Sequence, residues 1–231
     1  MQPHRKECWV IPPKASGDFV ACMEDVLSIY QLSYDPDYPV ICMDESNKQL
    51  TKEVRKPLPP VPGHPARYDS LYERNGVADV FLFVEPLRGF RVTSVTSQRR
   101  AVDWARQVKT VLDMHYPSAK KVRLVMDQLN THRASSFYEA FAPEEARRLI
   151  ERLEIHHTPK HGSWLNIAEI ELAALSRQCL NRRIPDMKTM AKEVAAWTKE
   201  RNKRLVKVDW QFTTEKARVK LKSLYPKFSL G

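Results

Sequence analysis

The spacing of apolar positions changes period several times along the chain, and each change predicts an element. Residues 19–32, FVACMEDVLSIYQL, set Phe19, Met23, Val26, Leu27 and Tyr30 at helical intervals and stop before the breaker DPDYP, which predicts a lead-in helix. YPVICMDES is then a short run of β-formers that stops at Asp44 and Glu45, so a carboxylate pair is expected at a strand's C-terminal end. Five prolines within residues 57–65 exclude a helix or an inner strand there and predict an extended loop. Beyond it, two apolar runs at 77–84 and 90–96, joined by a tight turn near Arg88 and Gly89, read as strands. Together with the first strand they form an expected three-stranded antiparallel meander.

The second half alternates. Residues 100–115 carry Val102, Ala105, Val108, Val111 and Leu112 as the inward stripe of a helix, and Val122 to Met126 is a buried strand ending at Asp127. PEEARRLIERL starts with Pro143 and acidic residues, as a helix N-terminus prefers, and EIHHTP reads as a short strand. An amphipathic helix follows the turn HTPKHGSW, and another spans about Met187 to Arg204. The fold class is therefore α/β, a mixed sheet of three antiparallel strands followed by alternating helices and strands, with helices at the C-terminal end. The division expected along the chain is a lead-in linker and helix at 1–36, one domain at 37–205, and a basic tail at 206–231 with Trp210, Phe212, Tyr225 and Phe228 interspersed.

Composition narrows the setting. With 231 residues and 42% hydrophobic content the chain can bury a core without staples. Cys8, Cys22, Cys42 and Cys179 are scattered without a CxxC pair, which points to free thiols in a reducing cytoplasm. No run is long enough to span a membrane, and the N-terminus lacks the apolar core of a signal peptide. The net charge of +10 is localised: from Arg182 to Lys227 there are 14 Lys/Arg against 5 Asp/Glu. Such an excess favours a polyanionic partner over an ordinary solvated surface.

Two acids share a position, since Asp44 and Asp127 each follow an apolar strand directly, at the rim where open α/β sheets place ligands. Singly, each also suits a strand end or a turn cap. Brought together, two carboxylates repel unless a hard cation such as Mg²⁺ compensates. The helix after HGSW offers a third acid. Leu165, Ala168, Leu172, Leu175 and Cys179 form its apolar stripe, with Glu169 and Glu171 both flanking it, and geometry alone does not choose between them. His156, His157 and His161 raise the question of zinc, but adjacent histidines on a strand face opposite sides.

The segments ICMDES, RLVMDQLNTH and HHTPKHGSWLNIAEIEL, in this order, resemble the catalytic domain of bacterial insertion-sequence DDE transposases of the mariner-related superfamily. In that family the last acid follows a W/DLN-x-x-E pattern, which falls on Glu169, so the resemblance selects Asp44, Asp127 and Glu169 as catalytic and metal-binding residues and leaves Glu171 as the weaker alternative. It implies a ribonuclease-H-like fold for 37–205 and two Mg²⁺ or Mn²⁺ ions as cofactors. It further implies cleavage at the element's ends followed by strand transfer, with DNA as partner and a homodimer in the DNA complex. Lys160, His161 and Ser163 in the turn, and Arg182 and Arg183 at the start of the basic region, are the expected DNA contacts. Asn130 and His132 are expected to support the acids. Relatives carry an N-terminal pair of helix-turn-helix modules, whereas this sequence starts almost directly with the catalytic region. A non-catalytic DNA-binding regulator and another ribonuclease-H-like nuclease are the alternatives.

Overall fold

The computed structural model of the chain describes residues 14–227; Cys8 and Phe228 lie outside the described residues. Helix α1 (Gly17–Tyr30) starts at Ser16, whose side chain accepts from the Phe19 backbone N–H. Five strands follow, β1 (Val40–Glu53), β2 (Tyr72–Glu85), β3 (Phe90–Thr96), β4 (Val122–Met126) and β5 (Leu153–His157), in one sheet ordered β3-β2-β1-β4-β5. The first three are antiparallel neighbours, while β4 runs parallel to β1 and β5 parallel to β4. The expected meander and the mixed sheet are both present.

Strand β1 differs from its expected form. It does not stop at Asp44 and Glu45 but continues to Glu53, paired with β2 across a register irregularity between Gln49 and Thr51. The polar stretch ESNKQ carries no apolar signal; pairing with β2 carries the strand through it, and Leu50 just beyond is buried in an apolar cluster with Val80, Leu180 and Ile184. The proline-rich loop leaves from the tip of this ribbon, fastened by short bridges between Leu58 and Arg67 and between Val61 and His64.

Alternation along the strands divides the core in two. Ile41, Met43, Phe81, Phe83, Leu124 and Met126 face α2 (Ala101–Thr110), α3 (Ser135–Ala140) and α4 (Pro143–Glu151). Helix α2 continues into a wider π turn, Val111–His115, and its largest buried side chain is Trp104, which the expected stripe omitted. The opposite face carries Cys42, Leu82, Val84 and Val125 against α1 and α5 (Ile167–Leu175), with α6 (Met187–Lys203) packing further along over Val80.

The basic C-terminal segment is built into this second face. Its helix α7 (Thr214–Lys220) buries Ala217, Trp210 packs at a tilt against Tyr30 at 5.3 Å between ring centroids, and Arg218 and Tyr225 both hydrogen-bond to Glu24 of α1. The approach also fixes a glycine. Gly89 holds φ +71 in the β2–β3 turn, and a Cβ there would lie 2.7 Å from the Leu205 carbonyl carbon. Among the described residues no helix is long and apolar enough to cross a membrane.

Candidate active site

The register of β1 on β4 brings the first two acids together. Cys42 pairs with Val125, and two residues further on along these parallel strands stand Asp44 and Asp127. Asp44 therefore shares the Cys42 face of β1, and Asp127 sits at the rim directly after β4. Asp44 is placed by pairing with Leu82 in mid-strand rather than by a strand end, because β1 runs on while β4 stops.

The third acid is delivered by a cap. Asn166, 1% exposed, accepts from the Ala168 backbone N–H and donates its side-chain amide to the Met43 carbonyl at 2.9 Å. One side chain thus starts α5 and fastens that start to the residue before Asp44. Tyr30 adds a second hold, donating to the Leu165 carbonyl at 2.8 Å from the lead-in helix. Glu169 stands in the first turn of α5, and its charge and those of Asp127 and Asp44 act on one another.

The three acids feel one another's charge, and burial and neighbours shift each of them differently. Burial pushes the Asp44 carboxyl up to about 7, against the pull of the Glu45 backbone N–H, and the charges of Asp127, Glu45 and Glu169 add to the rise. Glu169 is also raised by burial and by Asp127, with the Ser163 hydroxyl opposing. Asp127 goes the other way: burial raises it, but His132 and the Leu129 backbone N–H outweigh that and hold it below the ordinary carboxylate range. His132 Nδ1 lies 2.7 Å from Asp127 Oδ1, and although burial disfavours its charge, Asp127 and Glu45 raise the imidazole to about 9. Among the described residues no group of three His, Cys, Asp or Glu side chains is closed around a metal position. Asp44, Asp127 and Glu169 would offer an all-oxygen donor set, which suits Mg²⁺ or Mn²⁺.

Glu171 lies elsewhere. The buried positions of α5 are Ile167, Ala168, Glu171, Ala174 and Leu175, so the packed stripe is rotated from the expected one and includes Glu171 instead of leaving it on the flank. A carboxylate occupies a core position because Arg91 and Arg201 reach it, at 2.9 and 2.7 Å. Apolar periodicity could not foresee an acid neutralised by two distant arginines.

The other expected residues separate into two groups. His132 joins Asp127, while Lys160, His161 and Ser163 lie in the turn before α5, with His161 at φ +64. Lys160 and His161 border a cleft against Gln128 and the first turn of α1. Asn130, in contrast, is exposed and accepts from Arg133. Arg182 and Arg183 are not with the acids: they flank the β1–β2 ribbon, Arg182 paired with Glu193 and Arg183 with Glu53, the latter arginine also stacked over Tyr72 at 5.3 Å. His156 and His157 face different partners, Asp25 and the Asp127 carbonyl, as alternation requires. Asn166 had no place in the sequence reading, although the Asn-x-x-Glu spacing of a helix start signalled it; Tyr30 was read only as part of the lead-in helix stripe and Glu45 only as the second acid beside Asp44.

Comparison with known proteins bears on the family and the fold. No curated protein sequence matches the chain significantly. Among solved structures, the Mos1 mariner paired-end complex with Mn superposes with a TM-score of 0.57 at 16% identity, covering 89% of this chain and 63% of that one. The Mos1 strand transfer complex gives 0.59 at 13% identity, with 97% and 67% covered, and the Mos1 paired-end complex with Mg gives 0.57 at 16%, with 98% and 69% covered. The chain thus spans 63% of the length of the first of these proteins, and at such identities the likeness is one of fold, the ribonuclease-H-like sheet. The sequence model of the DDE superfamily endonucleases matches residues 39–191, a stretch that contains Asp44, Asp127 and Glu169, and the chain belongs to that family.

Proposed function

We propose that this chain is the catalytic domain of a transposase that cleaves DNA at the ends of an insertion sequence and joins the freed ends to target DNA. The observation that carries the reading is the convergence of Asp44, Asp127 and Glu169 from two adjacent parallel strands and a capped helix. Asp44, Asp127 and Glu169 would hold the divalent ions, and bound Mg²⁺ or Mn²⁺ would supply an activated oxygen nucleophile and stabilise the leaving oxygen. The similar Mos1 structures are paired-end complexes with Mn and with Mg and a strand transfer complex, which supports divalent ions, DNA ends and two copies of the chain as partners. A cytoplasmic location suits DNA as substrate.

The chain's own residues supply position and charge. His132 orients Asp127 through its 2.7 Å contact. Asn166 and Tyr30 fix the start of α5 and so the reach of Glu169. Lys160, His161 and Ser163, in the turn beside the acids, would meet the phosphate backbone. Arg182 and Arg183 would act farther away, along the ribbon. A non-catalytic regulator would have no need for three acids held by dedicated caps and hydrogen bonds.

The test is nicking of supercoiled plasmid in Mn²⁺ at low salt, wild type beside Asp127→Asn. Metal-dependent nicking that the substitution abolishes supports the reading; equal activity of a folded Asp127→Asn protein would sink it.

A further inference from the structure

Glu45 follows Asp44 on β1, so its side chain leaves the opposite face of the sheet. There it is buried to 3% exposure beneath α2, in a layer that also holds Trp104. Both of its carboxylate oxygens lack a conventional hydrogen-bond partner among the described residues, and so does His132 Nε2. The two meet each other: His132 Nε2 lies 3.3 Å from Glu45 Oε2, a charge contact whose angles fall short of a hydrogen bond. The other ring nitrogen, Nδ1, lies 2.7 Å from Asp127 Oδ1. The ring is 1% exposed, and Trp104 packs beside it at 5.4 Å between centroids. A buried carboxylate, an imidazole and the rim carboxylate of Asp127 therefore form one line from the interior to the site. An unpaired buried carboxylate is costly, and an apolar residue at that position would avoid the cost. The arrangement makes sense if the buried acid sets the ring.

We propose that Glu45 is a positioning residue which, through the His132 imidazole, fixes the carboxylate of Asp127 for metal binding. This inference rests on the reading of Asp127 as a metal-binding acid. It assigns Glu45 a task different from that of its neighbour Asp44: one faces the reacting groups, and the other orients them from behind the sheet. Groups that hold a metal-binding side chain from outside its ligand shell change affinity or activity by about 10- to 100-fold when removed.

The test uses the full chain with Glu45→Leu, Glu45→Gln, His132→Asn and the Glu45→Leu/His132→Asn pair, each checked for thermal unfolding. Glu45→Leu keeps volume and removes the acceptor; it should lower the turnover of Mn²⁺-dependent nicking by about 10- to 100-fold while the half-saturating DNA concentration stays unchanged. Glu45→Gln keeps an acceptor and should recover most of the rate. The paired variant should be no slower than His132→Asn alone, because the two residues act in series. Losses that multiply would overturn the proposal.

A readout independent of activity is the ring nitrogen resonances of His132 in ¹⁵N-histidine-labelled, metal-free protein. Both should move in Glu45→Leu, and Nε2 alone in Glu45→Gln. An unmoved Nε2 resonance in Glu45→Gln overturns the proposal even if Glu45→Leu fails to fold. Absence of nicking by the wild type would remove the transposase reading, yet the ring resonances would still decide whether Glu45 sets His132.

Discussion

The Asn166 side-chain amide donates to the Met43 carbonyl at 2.9 Å, so the residue that starts α5 is tied to the residue preceding Asp44. On the function proposed above, the reach of Glu169 depends on this joint. Asn166→Ala removes the helix cap, worth about 1 kcal/mol, and leaves a buried carbonyl unpaired, at about 1–3 kcal/mol. Chemical denaturation should show a loss within about 2–4 kcal/mol, with nicking reduced further than the unfolded fraction explains. Activity that simply tracks the folded fraction would mean that the cap matters for stability alone.

Glu169 and Glu171, two residues apart, should separate cleanly. Glu169→Gln should abolish nicking and leave the unfolding temperature unchanged or slightly higher, since Asp127 and Asp44 no longer repel a third charge. Glu171→Gln strips the partner from Arg91, whose side chain is 0% exposed, and two of the Arg91 nitrogens already lack acceptors. Breaking such a buried pair costs about 3–5 kcal/mol, so this variant should be poorly folded. Paired thermal melts and nicking assays read both outcomes at once; an inactive but stable Glu171→Gln protein would reverse the assignment of the third acid.

The same ion triad sets an acid limit on stability. Burial raises the Glu171 carboxyl, but Arg91 and Arg201 outweigh it and hold the group below its ordinary value of 4.5. A depressed folded-state value means that the unfolded chain takes up the proton first as the pH falls. Its contribution is therefore fully present above the ordinary value and is lost as the pH drops through the folded-state one. Urea midpoints should decline below about pH 4.5, and less steeply in a variant where Arg91 and Glu171 are both replaced by apolar residues of similar size. An equal decline in the two proteins would place the acid-sensitive group elsewhere.

Much of this was legible in the sequence, for physical reasons that differ residue by residue. Val122 to Met126 announced itself because a parallel inner strand is apolar on both faces, and Asp127 followed from where the run stops. Asp44 was found for a different reason than the one that places it, since β1 does not end there but continues through residues whose pairing leaves no apolar trace. Trp104 and Glu171 show the other gap: a helix stripe records which residues are apolar, not which distant arginine neutralises an acid or which face an indole fills. Arg182 and Arg183 stood out as charge, but their partners Glu193 and Glu53, 11 and 130 positions away in sequence, could not be read from composition.

Divalent ions should stabilise the fold through the acids they are proposed to bind. Mass action predicts about 2.7 kcal/mol when the ion is at a hundredfold excess over its dissociation constant, or roughly 5–10 °C in unfolding temperature for a chain of this size. Differential scanning fluorimetry with Mn²⁺ should show that rise in the wild type and lose it in Asp44→Asn, whose metal-free form should be at least as stable because a buried, repelled charge is gone. Ca²⁺ serves as a control, since an all-oxygen site accepts it in looser geometry. An equal Mn²⁺ response in Asp44→Asn would place the ion elsewhere.

The C-terminal segment distinguishes a charged arm from a structural one. A free basic tail could be removed with loss of DNA affinity alone. Here Ala217 and Leu224 are buried, Trp210, Phe212 and Tyr225 pack on the α1 side of the core, and Arg218 grips Glu24. Fully burying Leu224 contributes about 1.5–3 kcal/mol, and the half-buried Trp210, Phe212 and Tyr225 add to it, a sizeable part of a domain stability of about 5–15 kcal/mol. Truncation after Arg204 should therefore yield insoluble or unfolded protein. Charge can be removed without that penalty: Lys220, Lys222 and Lys227 are exposed and make no ion pair among the described residues. Replacing all three by Gln should leave the unfolding temperature within roughly 1–2 °C, the scatter expected of surface changes. If these lysines neutralise DNA phosphates, the slope of log affinity against log salt should fall by about 0.9 for each phosphate left without its lysine. An unchanged slope would confine the role of this segment to holding α1, and through Tyr30 the start of α5, in place.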